Sequence, residues 1–263
     1  MQTRILLAGG GTAGHTSPLL AVSEALGGLT PSRFVFIGGR RGLENRLIPQ
    51  AGIEFHRTLM PSLRDPDSRA SLLLAAAVLP VAVLQAWWVL LRAKPRVILT
   101  AGGLVSLPVV LAGSIRGVPI VLWDGDAVPG RVNRVLARFA RCIVATFPEE
   151  ERFFPKEKVA VTGNPIPREL LQWTPARARE ALRLPADARV LLVTGGSQGS
   201  QALNVALDAA LARILARAHV VHLAGEANLA RAESRRATLP PELRERYHPY
   251  GFLHEEIDRK SVV

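Results

Sequence analysis

The chain is short of several residue types, and each shortage excludes something. It has one cysteine in 263 residues, Cys142. No intrachain disulfide and no multi-cysteine metal site can form, and a reducing cytoplasm is the natural setting. Lysine occurs only at Lys94, Lys156, Lys158 and Lys260, although basic residues number 33 and the formal charge is +11. Such a balance draws anionic partners such as phospholipid, a diphosphate or nucleic acid; an arginine- and alanine-rich composition by itself would give the same number. Aromatic residues make up only 5%. No basic cluster is interleaved with them, so a nucleic-acid surface is not expected. A secretory signal is missing too, because Ile5 to Ala8 is too short for an apolar signal core and runs into glycines. At 48% apolar the chain is not disordered.

Long apolar runs are also scarce, with one exception. Leu72 to Leu91 reads LLLAAAVLPVAVLQAWWVLL, interrupted only by Pro80 and Gln85. Its length would cross a bilayer. Yet the strand-like VILT (Val97 to Thr100) and a glycine turn follow at once, and a span here would split one sheet across the membrane. The expectation is a helix with one face on the core and the other on an anionic membrane surface. Pro80 would kink or break it. Leu84, Trp87 and Trp88 are the candidate membrane residues, since tryptophan suits the headgroup layer.

What the sequence does contain is one cassette written twice: an apolar strand, a glycine-rich turn, then an apolar-periodic helix. The first copy is ILLAGGGTAGHTSPLLAVSEAL (Ile5 to Leu26), the second VLLVTGGSQGSQALNVALDAAL (Val190 to Leu211). Such turns aim backbone N–H groups and a helix N-terminus at an anion, usually a phosphate. A third turn, TAGGLVSLP (Thr100 to Pro108), also leaves a strand and opens a helix. Next to the first, it would make two adjacent anion sites, which suits a diphosphate.

Further short apolar runs predict strands at Arg33–Ile37, Glu54–Thr58, Ile120–Trp123, Cys142–Ala145 and Val159–Thr162, with helical stretches between them. This alternation predicts a mostly parallel sheet covered on both faces. Residues 1–165 form the expected first domain, 166–188 a proline-rich connection, and 189–263 a second α/β domain. That second domain has a strand at Val220–Leu223 and a helix around Ala227–Thr238, then no further strand–helix signal, so it reads as incomplete.

Gly9, Gly11 and Gly14 satisfy the dinucleotide pattern G-x-G-x-x-G. The second strand, however, ends in FIGGRRG, whose Arg40 and Arg41 could suit only a 2′-phosphate. An NADP-dependent oxidoreductase therefore stays open at this level. His15, just after the third glycine, is unusual for such a turn. A helix N-terminus favours its neutral form, which suits a base or a hydrogen-bond donor.

The set GGGTAGHTSP, IGGRRGLENRLIPQAGI, TAGGLVSLP, GRVNRVLA, VTGNPIP and GGSQGSQALN, in this order and spacing, resembles the MurG family of peptidoglycan synthesis. The resemblance implies a GT-B fold of two Rossmann-like doubly wound parallel-sheet domains. It implies an inverting transferase that moves N-acetylglucosamine from UDP-N-acetylglucosamine to the C4 hydroxyl of a muramoyl-pentapeptide carried on undecaprenyl diphosphate. It also implies a peripheral position on the cytoplasmic face of the plasma membrane. By position, His15 is the implied catalytic base. Gly10, Gly11, Gly102, Gly103, Ser106 and Asn133 are the implied acceptor-diphosphate residues. Thr12, Ala13, Gly14, Asp126, Arg168, Ser197 and Gln198 fall on donor-binding positions. No cofactor and no metal site are implied.

Three positions depart from the family pattern. Ala13 replaces a glycine, Asp126 stands where an amide is usual, and Pro167 occupies the arginine position with Arg168 one residue later. The family's uridine-, ribose- and sugar-binding residues lie in a portion that cannot be assigned on this sequence. The expectation is weak donor binding and little turnover. A non-catalytic acceptor-binding half that works with a separate donor subunit is the alternative.

Overall fold

The structure is a computed structural model describing residues 2–10, 13–40, 42–61, 69–196 and 199–251. The chain divides into two compact units, Met1–Arg168 and Glu169–Val263.

The first unit alternates strand and helix: β1 (Thr3–Ala8), α1 (Ala13–Leu29), β2 (Ser32–Gly38), α2 (Glu44–Gln50), β3 (Glu54–Arg57), α3 (Arg69–Ala93), β4 (Val97–Thr100), α4 (Leu107–Ile115), β5 (Ile120–Asp124), α5 (Arg131–Leu136), β6 (Cys142–Ala145) and β7 (Val159–Val161). A 3₁₀ turn, Leu104–Ser106, leads into α4. The strands form one parallel sheet in the order β3-β2-β1-β4-β5-β6-β7.

Side chains alternate across this sheet. Ile5 and Leu7 join Phe36, Leu99 and Trp123 on one face, against Leu19 of α1 and Ile48 of α2. Leu6 and Ala8 join Ile37, Ile98, Ile120 and Leu122 on the other, against Ala86 and Leu90 of α3 and Val109 and Val110 of α4. Because both faces are covered, the strands read as unbroken apolar runs rather than as alternating ones.

Helix α3 runs from Arg69 to Ala93 with Pro80 inside it, so the expected break at Pro80 does not occur. Proline removes the bond to the carbonyl four residues back. That residue, Ala76, is exposed, as is Pro80, so the unpaired carbonyl lies on the open side of the helix. By length and composition Leu73–Ala93 could cross a membrane. One stripe of it, Ala75, Ala82, Ala86 and Leu90, is nevertheless buried in the fold, while Leu73, Leu74, Val81, Leu84 and Trp88 are exposed. Small buried residues let α3 lie close to its neighbours, and the large ones point outward.

The second unit contains α6 (Pro175–Ala181), β8 (Val190–Thr194), α7 (Gln201–Leu215), β9 (His219–Leu223), α8 (Leu229–Ala237), α9 (Pro241–Arg244) and β10 (Tyr247–Tyr250). Its parallel sheet has the order β10-β9-β8. Leu207, Leu211 and Leu215 of α7 pack on Val220, Leu239 and Tyr247. Strand β10 was not expected from the sequence. Its YHPY carries a proline and no apolar alternation, and it is tolerated because the strand lies at a sheet edge. Side chains cap the helices: Thr174 Oγ1 accepts from Arg177 N, and Ser200 Oγ accepts from Leu203 N.

Candidate functional site

The strand order reverses between β1 and β4. From β1 the chain builds outward through β2 to β3, and from β4 outward through β5 to β7. Ligands of open parallel sheets bind at such a switch point, beyond the carboxyl ends of the strands. Both glycine turns of the first unit lie there, Gly9–Gly10 after β1 and Ala101–Gly103 after β4.

His15 stands in the first turn of α1, between them. Its Nδ1 is 3.4 Å from the Gly10 carbonyl oxygen, a long contact in which Nδ1–H donates. That tautomer leaves the lone pair on Nε2. On its other side, a Cβ built at Gly103 would lie 3.7 Å from the ring, so the imidazole rests against the second turn.

The second turn is held from beneath. Gly102 and Gly103 have φ of 76° and 75°, a left-handed conformation that glycine adopts without cost. Gly102 N–H donates to Thr100 Oγ1 at 3.0 Å, and Gly103 N–H donates to Asn133 Oδ1 at 2.9 Å. Ser106 Oγ donates back to the Gly102 carbonyl at 2.6 Å. Asn133 Nδ2 donates in turn to Asp124 Oδ2 at 2.8 Å, while Asp126 N–H donates to Asp124 Oδ1 at 3.0 Å.

Asp124 is 1% exposed. Burial pushes its carboxyl above the ordinary range, against the hydrogen bonds from Asn133 and Asp126. The main chain of Asp124 also accepts from Thr146 Oγ1 at 2.9 Å. Glu150 Oε1 takes the N–H groups of Thr146 and Phe147, both at 2.8 Å, and burial raises its pKa as well. The loops that follow β4, β5 and β6 are thus joined by buried polar groups, with Asp124 at the junction. Asp124 was not singled out from the sequence. A carboxylate at the last position of an apolar strand, IVLWD, was the available signal.

His15, Gly10, Gly102, Gly103, Ser106, Asn133 and Asp126 all belong to loops or helix starts at this end of the sheet. Gly11 and Thr12 lie outside the described residues. Ala13 and Gly14 open α1; a helical backbone at Ala13 needs no left-handed φ, so alanine costs nothing there. Arg168 is exposed in a 3₁₀ turn, Arg168–Gln172. Leu84 and Trp88 are exposed, at 61% each, and Trp87 is half-buried and packed against the core.

In the second unit, Ser197 and Gln198 lie outside the described residues. The turn around them is described at Gly196, φ 75°, and Gly199, φ 72°. A Cβ on Gly199 would strike the Ala224 carbonyl oxygen. That same oxygen accepts from Asn204 Nδ2 at 3.0 Å. Asn204 Oδ1 meets His222 Nε2 at 3.0 Å, and His222 Nδ1 meets the Tyr247 hydroxyl at 2.7 Å. Burial lowers the His222 pKa and so favours the neutral ring; in that form Tyr247 O–H donates to Nδ1 and Nε2–H donates to Asn204. Among the described residues, no group of three or more His, Cys, Asp or Glu side chains could hold a metal ion.

Two parallel-sheet units, with glycine turns at the head of each first strand, define a GT-B α/β protein. The glycosyltransferase family 28 N-terminal domain matches residues 5–145. A Salinibacter ruber protein named UDP-N-acetylglucosamine–N-acetylmuramyl-(pentapeptide) pyrophosphoryl-undecaprenol N-acetylglucosamine transferase is 39% identical over 231 residues, covering 86% of this chain and 62% of its own length. The Clostridium perfringens protein of the same name is 32% identical over 254 residues, 97% of this chain and 68% of that one. Among solved structures, Acinetobacter baumannii MurG superposes with a TM-score of 0.67 at 24% identity, covering 98% of this chain and 70% of that chain. A UDP-GlcNAc 2-epimerase from Methanocaldococcus jannaschii shares the fold, with a TM-score of 0.63 at 14% identity, covering 99% and 76%. The chain belongs to the MurG family within glycosyltransferase family 28. It spans 55–62% of the length of several of these relatives. Membership displaces the oxidoreductase alternative.

Proposed function

We propose that the protein transfers N-acetylglucosamine from UDP-N-acetylglucosamine to the C4 hydroxyl of a muramoyl-pentapeptide linked to undecaprenyl diphosphate, with inversion. Residues 1–165 would bind acceptor and membrane, and residues 189–263 would contribute to the donor side. The observation that carries this reading is the convergence of two glycine turns and His15 at the switch point of one sheet.

In this reading the helix-opening N–H groups at Leu104 and Val105, together with the first turn, take the acceptor's phosphates. The Nε2 lone pair of His15 accepts the C4 hydroxyl proton while that oxygen attacks the anomeric carbon. The sugar–phosphate bond breaks and UDP leaves with the bonding pair. N–H groups of the GGSQGS turn, which contains Ser197 and Gln198, would stabilise the charge on the departing diphosphate. Asp126 and Arg168 stand as further donor candidates. No cofactor takes part in this scheme.

The exposed side of α3 supports a peripheral site on the cytoplasmic membrane face. Leu73, Leu74, Val81, Leu84 and Trp88 form an apolar stripe, and Arg92 lies 5.9 Å from the Trp88 ring. Apolar insertion flanked by arginine suits an anionic bilayer.

The test is titration of the purified chain with a short-chain polyprenyl-diphospho-muramoyl acceptor, followed by amide NMR, with transfer measured by product mass. Shifts at Gly9, Gly10 and residues 102–106 are expected. His15→Ala should retain them and abolish transfer. Binding without transfer by the unaltered chain would assign it the acceptor-binding role alone. An acceptor that leaves these amides unmoved overturns the reading.

A further inference from the structure

We propose that Asp124 and Asn133 are positioning residues for the second glycine turn, and that Asn133 acts on a bound diphosphate through this turn rather than by touching it. The inference rests on the acceptor-site reading above and gives that site its internal support.

The Asn133 carboxamide has its two ends committed inside the protein. Its oxygen takes Gly103 N–H at 2.9 Å, and its nitrogen donates to Asp124 at 2.8 Å. The residue is 7% exposed. It also fills the place a side chain at Gly102 would need, since a Cβ there would fall on the carboxamide. Gly102 N–H is itself turned inward, to Thr100 Oγ1. Neither glycine amide is therefore presented to a ligand. What the turn offers an anion is the start of the helical run from Leu104 to Ile115, with its unbonded first-turn N–H groups and the positive end of its dipole.

The aim of that helix start depends on two consecutive glycines, the residues with the widest backbone freedom. An external hold must choose their conformation, and Asn133 supplies it. A carboxamide has a donor end and an acceptor end of nearly equal shape, so something must also choose its orientation. Asp124 does so. Its carboxylate already accepts Asp126 N–H on Oδ1 at 3.0 Å and offers Oδ2 as a second acceptor. Only the Nδ2 end of Asn133 can meet it, which turns Oδ1 toward Gly103 N–H. Since Asp126 is a donor-side candidate, one buried carboxylate sets both the turn after β4 and the loop after β5.

The experiment uses the full chain, amide hydrogen exchange at Gly103, and inorganic pyrophosphate as probe. Asp124→Asn leaves one oxygen for two donors; with that oxygen kept on Asp126 N–H, its amide nitrogen faces Asn133 Nδ2, and Asn133 reverses to present a donor to the Gly103 donor. Gly103 exchange should rise, and pyrophosphate affinity should fall, each by about tenfold, the effect of one lost hydrogen bond. The reciprocal double variant, Asp124→Asn with Asn133→Asp, preserves all three bonds. The new amide accepts Asp126 N–H and donates to the new carboxylate, which accepts Gly103 N–H. It should restore protection and bring affinity to within about threefold of the original.

A direct contact between Asn133 and the phosphates predicts the opposite. A carboxylate at position 133 would repel pyrophosphate, and the double variant would stay deficient although Gly103 is protected. That result overturns the proposal, as does Asp124→Asn leaving both the Gly103 and the Asp126 amide exchange unchanged. If Asp124→Asn does not fold, or exposes the Asp126 amide instead, the double variant decides by the same two readouts. If the unaltered chain shows no pyrophosphate shift at residues 102–106, the acceptor-site reading fails, and Gly103 exchange still tests the Asp124–Asn133 hold.

Discussion

The Arg116 guanidinium lies 5.0 Å from the centre of the Trp87 ring, which ties the end of α4 to the inner side of α3. The next residue, Trp88, is 61% exposed. Two adjacent tryptophans therefore do different work. Trp88→Ser should weaken sedimentation with anionic vesicles by roughly tenfold while leaving stability nearly unchanged. Trp87→Ser should cost about 2–3 kcal/mol in urea unfolding through the cavity it leaves. Equal vesicle binding by the original chain and Trp88→Ser would remove the membrane role from this face.

Gly102→Ala tests the turn more bluntly. Alanine would have to hold φ near 76° and place its methyl on Asn133. A left-handed alanine costs about 1–2 kcal/mol before any displacement of Asn133. The expected loss is at least about 2 kcal/mol of stability, with weaker pyrophosphate binding. Gly117, which is also left-handed but opens onto empty space, should lose only the conformational part when changed to alanine.

Asn204 joins α7 to the loop after β9. Asn204→Ala would leave the Nε2–H of the buried His222 without its acceptor and remove one donor to the Ala224 carbonyl. Unfolding of the second unit should become easier by about 2 kcal/mol. The Gly199 amide should exchange its hydrogen faster, because Gly199 packs on the same carbonyl.

The two units should respond to acid in opposite senses. In the second, burial lowers the pKa of His219 and His222, and of His248 to about 4, where the neighbouring His219 adds to the effect. The unfolded chain then binds more protons than the folded one below about pH 6.5, so stability falls as pH drops from there toward 4. In the first unit, burial raises the pKa of Glu150, and a proton on its Oε2 leaves Oε1 accepting the Thr146 and Phe147 N–H groups. Its protonated form favours the fold, and that contribution is lost as pH rises through its folded value. Circular dichroism from pH 7 to 4 should show the second unit melting first, and His248→Gln should blunt this. A transition unaffected by that change would contradict the assignment.

The first-unit fold was largely legible in the sequence. Strands buried on both faces leave continuous apolar runs, and the glycines after Ala8 and Thr100 mark where those runs end. The extent of α1 was less visible, because Ala13 to Ser17 look like turn residues until the helix is built. Continuation of α3 through Pro80 was also hidden, since it depends on which side of the helix the freed carbonyl faces. Strand β10 escaped because an edge strand needs backbone pairing more than apolar alternation. Asp124 and the Asn204–His222–Tyr247 chain escaped for a related reason. Their partners are 9 to 25 residues away in sequence, and hydrogen-bond partnership leaves no periodic trace.

The sequence by itself determined that two strand–glycine–helix cassettes exist, that a histidine follows the first, and that the chain carries the MurG family's set of turns. Local chemistry suffices for this, because glycine placement and apolar runs act over a few residues. Only the tertiary structure decided that β1 and β4 are neighbours, which brings the first and third glycine turns to one switch point around His15. It also decided that Asn133 looks inward to Asp124, and that Trp88 but not Trp87 faces out. These outcomes depend on strand order and on which groups burial forces to find partners.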